Sequence, residues 1–154
     1  MVRFEPLPAD RPPAADLITA MVAEMATLYG PIDVPGMPSA TPADFAPPHG
    51  TFLVGFDDDG AAVCAGGVKR LDREAAEIKR MYVVPAARGR GLARVLLAAL
   101  EDAALGLGYG TVRLDTGALQ PHAQALYESA GYRAIGNFNA NPVAAYWGEK
   151  RLAR

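Results

Sequence analysis

The chain has 154 residues, 51% hydrophobic and 21% charged, with a net charge of −2. That is the size of one domain, and a domain of this length buries enough surface to fold without staples. A single cysteine, Cys64, excludes a disulfide framework and a cysteine metal cluster, the slightly acidic balance argues against a general nucleic-acid binder, and no run reaches the ~18 apolar residues of a membrane span.

Met1 opens no signal peptide, so the expectation is one cytoplasmic domain over residues 1–154, with no membrane and no nucleic-acid partner. Its charge is uneven. Residues 1–60 hold nine acidic and two basic side chains, and residues 61–154 hold eight acidic and thirteen basic ones. The second part is the one that can attract an anion.

"VRFEPL" reads as a first strand. In "PPAADLITAMVAEMATLYG", Leu17, Met21, Met25 and Leu28 recur at helical spacing until Gly30-Pro31 ends the pattern. Residues 30–50 hold six prolines and read as a long loop with one short helical turn, either a substrate-side flap or a connector. "TFLVGFDDDGAAVCAGGVKRLD" is two apolar runs joined by a turn signal, hence a hairpin. "EAAEIKRMYVV" is the next strand, with Ile78, Tyr82 and Val84 expected on one face and Glu77, Lys79, Met81 and Val83 on the other; Pro85 ends it. The helix after Arg88 carries Leu92, Leu96, Leu100, Ala103 and Leu107 on one stripe and stops at Gly108. "GTVRLDTG" is a strand, "PHAQALYESAG" a short helix closed by Gly131, and "YRAIGNF" and "VAAYWGEKRL" are the last two strands. The alternation predicts an α/β (α+β) domain with a mixed sheet flanked by helices. The strands on either side of the Arg88 helix should be parallel neighbours with a right-handed crossover.

The opening of that helix, "RGRGLAR", is not what packing asks for. The first helical turn leaves up to four N–H groups without partners at the positive end of the dipole. Glycines let a ligand approach the backbone, and arginines suit phosphate. Strand, Gly-rich turn and helix together form a pyrophosphate cradle; the plain alternative is a surface turn with solvated arginines. Neither the Walker A pattern nor the dinucleotide pattern G-x-G-x-x-G is present, since Arg94 stands where the last glycine of the latter belongs.

The segment resembles the acetyl-CoA signature R/Q-x-x-G-x-G/A of the GNAT (GCN5-related N-acetyltransferase) family, with Arg88, Gly91 and Ala93 in place. "ALYESAGYRAI" is similar to the family's later motif, and the resemblance is strong over residues 51–138. It implies a mostly antiparallel sheet with a central, splayed parallel pair. It also implies acetyl-CoA as cosubstrate, with its pyrophosphate on the backbone N–H groups of Arg88, Gly89, Arg90, Gly91, Leu92, Ala93 and Arg94. The pantetheine arm would lie along Met81, Tyr82 and Val83. Where many members carry an asparagine that contacts pantetheine, this chain has Gln120, whose amide can make a similar contact.

Amine acetylation needs an acceptor for the amine's proton, because an alkylammonium near ~10.4 is charged at neutral pH. Glu77 stands where some members place a catalytic glutamate; its alternative is an ion pair with Lys79, Arg80 or Arg73. A carboxylate near ~4.3 takes such a proton poorly unless it is buried or relays it through water. The departing thiolate needs a proton, and the resemblance assigns Tyr127 that role. By periodicity alone, Tyr127 sits on the apolar stripe Ala123, Leu126, Ala130 and reads as core.

Asp115 either bonds its own turn or faces the substrate. His49 and His122 read as surface residues, Cys64 reads as a buried strand residue, and two isolated histidines give no metal site. The acceptor is expected to be the primary amine of a small molecule. Alternatives are a protein-lysine or N-terminal acetyltransferase, or a non-catalytic acyl-CoA-binding sensor. The last strand, with Tyr146 and Trp147, is a candidate homodimer edge.

Overall fold

The structure is a computed structural model that describes residues 1–30 and 40–153. Part of the proline-rich segment, residues 31–39, lies outside the described residues, and the flap-or-connector question with it; the one short helical turn expected in the segment is at Pro42–Phe45. The strands are β1 (Arg3–Pro6), β2 (Thr51–Phe56), β3 (Ala62–Arg70), β4 (Ala75–Val83), β5 (Thr111–Gly117), β6 (Arg133–Ala134) and β7 (Ala144–Arg151). The helices are α1 (Ala14–Tyr29), α2 (Leu92–Gly106) and α3 (Pro121–Ser129), with short 3-10 turns at Pro42–Phe45 and Pro85–Ala87. The seven strands form one sheet in the order β1-β2-β3-β4-β5-β7-β6. Every pairing is antiparallel except β4 with β5, which is the mixed sheet and central parallel pair that the sequence implied.

Two apolar layers hold the sheet between helices. On one face Ile78, Val112 and Leu114 pack with Leu96, Leu97 and Leu100 of α2 and Tyr127 of α3. On the other, Phe52, Val54 and Tyr82 pack with Ala14, Leu17 and Met21 of α1 and with Phe45 of the first 3-10 turn. The buried stripe of α2 is Leu96, Leu97, Leu100 and Ala104, turned slightly from the expected line. Both α2 and α3 end at glycines with positive φ, Gly108 (101°) and Gly131 (100°). In each, the following N–H reaches back to close the helix, Tyr109 to the Ala104 carbonyl and Tyr132 to the Tyr127 carbonyl, the double-bonded stop that glycine permits.

Two expectations need correction. Ile78 and Tyr82 do not share a face: Ile78 packs on the α2 side and Tyr82 on the α1 side. The cause is a bulge. Lys79 pairs with Gly67 and Tyr82 with Ala65, so Arg80 and Met81 stand opposite Gly66 alone, and Arg80 takes a φ of 59°. One extra residue inverts the alternation, which moves Met81 and Val83 to the α2 side. The last strand is also no edge. β7 lies between β5 and β6, and Tyr146 is buried in the core.

Candidate active site

The parallel pair is where the sheet opens. β4 and β5 are in register only at Ala75–Thr111, Ala76–Val112 and Glu77–Arg113, although β4 runs on to Val83 and β5 to Gly117. Beyond Glu77 the two strands part. The space between them widens into a cleft of about 880 Å³ walled by both strands, the start of α2, the second half of α1 and the start of α3.

The cleft edge of β4 presents backbone. Val84 N–H donates to the Val63 carbonyl of β3 at 2.9 Å. Strand alternation therefore turns the N–H and C=O of Val83, and those of Met81, away from β3 and toward the cleft. Tyr82 also lines the cleft, through its side chain on the α1 side.

At the cleft's end, Gly91 is the N-cap of α2 with φ 75°, Gly89 has φ 81°, and a methyl group at either would meet nothing within 4 Å. No side chain caps the helix, so the N–H groups of its first turn, Leu92, Ala93 and Arg94, point out of the helix unpartnered by it. The Arg88 N–H is different, being taken by the Pro85 carbonyl at 3.3 Å. The three arginine side chains also have partners. Arg88 grips Glu24 of α1 through both terminal nitrogens at 2.8 and 2.7 Å, donates Nε–H to the Val83 carbonyl at 2.9 Å, and lies 5.6 Å from the centre of the Tyr82 ring. That grip holds the Glu24 carboxyl below its usual value. Arg90 reaches the Ala86 carbonyl at 3.4 Å, and Arg94 bonds the Ser129 hydroxyl of α3.

Gln120 is the N-cap of α3, and its Oε1 accepts from the Tyr29 hydroxyl at 3.3 Å. The same hydroxyl accepts from Leu119 N–H at 3.1 Å, so the last residue of α1 is tied to the turn between β5 and α3. Tyr127 is 7% exposed but lines the cleft, where its hydroxyl donates to the Met81 sulfur at 3.8 Å. Burial, with the nearby negative charge of Asp115, pushes the phenol well above its ordinary value, so it keeps its proton.

Glu77 is 2% exposed and is not in the wall of the cleft. Its Oε2 accepts from Lys79 Nζ at 3.4 Å, the ion pair expected as an alternative, and from Asn139 Nδ2 at 2.9 Å. Asp115, which does line the cleft, accepts from the same Asn139 amide and from Asn141 Nδ2 at 3.2 Å. Asn139 and Asn141 are the residues that sequence reasoning missed, and Trp147, expected at a dimer edge, instead donates its indole N–H to Asn139 Oδ1 at 3.0 Å. The available signal was the spacing in "NFNANP", asparagines that build local turns: Asn137 accepts from the N–H groups of Asn139 and Ala140, and Asn141 from that of Val143.

The other candidates sit apart. The His49 ring approaches Arg70 at 3.4 Å on the surface, and His122 is an exposed residue on the cleft rim. Cys64 is fully buried, with its thiol pushed up to about 11. Among the described residues no group of three His, Cys, Asp or Glu side chains is placed to hold a metal ion, and no helix is long and apolar enough to cross a membrane.

The model of the acetyltransferase (GNAT) family matches residues 19–132. The N-alpha-acetyltransferase RimI of Mycobacterium tuberculosis is 36% identical over 107 residues, which is 68% of this chain and 65% of that one. A solved structure described as a putative acyl-CoA N-acyltransferase from Klebsiella pneumoniae superposes with a TM-score of 0.80 at 29% identity, covering 99% of each chain. A GNAT acetyltransferase from Elizabethkingia anophelis, solved with acetyl-CoA bound, has a TM-score of 0.70 at 16% identity over 98% of each chain, a likeness of fold. The curated relatives are matched over 54 to 65% of their own length. With the splayed pair, the glycine-capped helix and a family match spanning both, the chain belongs to the GNAT acetyltransferase family.

Proposed function

We propose that this protein is an N-acetyltransferase that moves an acetyl group from acetyl-CoA to the primary amine of a small molecule. The observation that carries the reading is the meeting, in one cleft, of an open strand edge, a side-chain-free helix N-terminus and the buried Tyr127 hydroxyl. The residues present fit the cosubstrate. Gly89 and Gly91 leave room at the start of α2, and Met81 and Val83 offer backbone groups along the edge.

Bound acetyl-CoA would supply an activated acetyl thioester. The N–H groups from Gly89 to Arg94 hold the pyrophosphate, the helix dipole adding to their charge. Met81 and Val83 pair with the pantetheine arm as a further strand would. Val83 must then trade its bond from Arg88 for one from the arm. Tyr127 Oη gives its proton to the sulfur that leaves. Glu77 takes the amine's proton through water, since it lies behind the cleft wall. A positioned base contributes ~10²–10⁴-fold. The likeness to an N-alpha-acetyltransferase favours a second reading, in which the acceptor is a peptide N-terminus.

Calorimetric titration with acetyl-CoA tests the cleft. Saturable binding is expected, and Gly91→Glu should abolish it by filling the pyrophosphate position with like charge. A folded Gly91→Glu protein that binds acetyl-CoA as the wild type does would remove the cradle.

A further inference from the structure

Two carboxylates from different strands share one donor. Asn139 Nδ2 carries two hydrogens; one goes to Glu77 Oε2 of β4 at 2.9 Å and the other to Asp115 Oδ2 of β5. The amide cannot turn over. Its Oδ1 accepts from Trp147 Nε1 at 3.0 Å and from the Asn141 N–H at 3.2 Å, so a flipped amide would set donor against donor on one side and acceptor against acceptor on the other. Asn139 thus bridges β4 and β5 at the point where they stop pairing, closing the gap behind the cleft. It lies beyond the stretch matched by the family model, residues 19–132, and so does Trp147.

Of the two carboxylates, Asp115 alone lines the cleft, and its charge is felt at the Tyr127 hydroxyl. An amine that enters the cleft therefore finds Asp115, and not Glu77, in the wall around it. We infer that Asp115 is the acceptor-binding carboxylate, taking an N–H bond from the primary amine, and that Asn139, locked by Trp147, is the positioning residue that aims Asp115 and couples it to Glu77. This inference rests on the acetyltransferase reading. Its physical content is preorganisation: positive charge grows on nitrogen as the amine attacks, and a carboxylate already fixed by amide donors meets that charge without reorganising. Charged and titratable groups around the pair come from every neighbouring strand and from α3. Lys79 is on Glu77's own strand, Lys69 is opposite it on β3, Arg113 is beside it on β5 and tied to Glu149 of β7, and Tyr127 of α3 feels the charge of Asp115.

The test has two parts. Trp147 is the single tryptophan of the chain, so its emission reports the network without turnover. Propylamine, glycinamide and spermidine, titrated into the CoA-loaded protein, should change that emission in the wild type, and Asp115→Asn should remove the response. In kinetics, Asn139→Leu should raise the amine KM on the order of ten-fold or more while the Kd for acetyl-CoA stays within about two-fold. Trp147→Phe, which keeps an aromatic side chain but removes the indole N–H that holds the amide, should raise the amine KM by less, and covers the case in which Asn139→Leu does not fold. An emission response that survives Asp115→Asn, or an unchanged amine KM in both other variants, overturns the inference and leaves the acetyltransferase reading intact. A wild type that binds no acetyl-CoA removes both.

Discussion

Tyr127 is where packing and chemistry compete for one side chain. Its ring belongs to the core between the sheet and α2, while its hydroxyl meets only a sulfur, a weak acceptor, at the cleft. A purely structural tyrosine would lose ~1 kcal/mol of stability or less on becoming phenylalanine. An acid should lose more: Tyr127→Phe is expected to lower kcat by ~10²-fold with the Kd for acetyl-CoA unchanged. An activated thioester whose thiol is more acidic should recover part of that loss. A wild-type kcat in Tyr127→Phe returns the residue to the core. Glu77→Gln tests the base. Its turnover should fall most at neutral pH and least at pH 9–10, where free amine is common, whereas a parallel pH–rate profile assigns Glu77 to structure. The motif residues were legible in sequence because their signal is local, glycines and arginines in one short run. Asn139 was not, because its partners lie 62 and 24 residues away and nothing at position 139 announces them.

At the scale of elements, every strand and helix was legible from periodicity and turn residues, but the side chains of β4 after Lys79 were assigned to the wrong face. A bulge has no periodic signature, and this one falls on an arginine, which takes positive φ far less readily than glycine. The bulge matters because it turns Met81 toward Tyr127. Helix α1 illustrates a second limit. Its sequence predicts an amphipathic helix, yet Leu28 is 41% exposed, because the last turns of α1 wall the cleft, while Val22 and Met25 still pack against the core. Two ties hold those turns: Glu24 to Arg88, and Tyr29 to the β5–α3 turn. The first is surface-exposed and should contribute ~1 kcal/mol or less. The second leaves no room at Gly117, where an added methyl group would collide with the Tyr29 hydroxyl. Gly117→Ala should therefore break the Tyr29 bonds and lower stability by ~1–3 kcal/mol, read as a fall in Tm. The helicity of the rest should be unchanged. A Tm equal to the wild type's would mean that Tyr29 moves aside freely.

For the whole molecule, the charge pattern gives a pH profile of stability. Glu24, Asp44, Asp72 and Glu149 are all held below their ordinary values, through Arg88, the Thr41 N–H, the Glu74 and Ala75 N–H groups, and Arg113 respectively. Lowered carboxyls add stability that is present above the unfolded values near ~4 and is lost as pH falls through the folded ones. Burial raises Tyr109, Tyr127, Tyr132 and Tyr146, as well as Cys64. Stability from these groups is present below the unfolded values, ~8.5 for the thiol and ~10 for the phenols, and fades as pH rises past them. Thermal melts should accordingly show a plateau across neutral pH, with Tm falling below about pH 4 and again above about pH 9. A Tm that rises on acidification from pH 5 to 3 would contradict these assignments. The central claim is that the cleft transfers acetyl groups and does not merely hold their carrier. The measurement that tests it most directly is free-thiol release from acetyl-CoA as a function of amine concentration. Release that saturates with a primary amine, and that Tyr127→Phe suppresses, is the expected result; saturable acetyl-CoA binding with no thiol released at any amine concentration would contradict it and leave the protein an acyl-CoA-binding sensor.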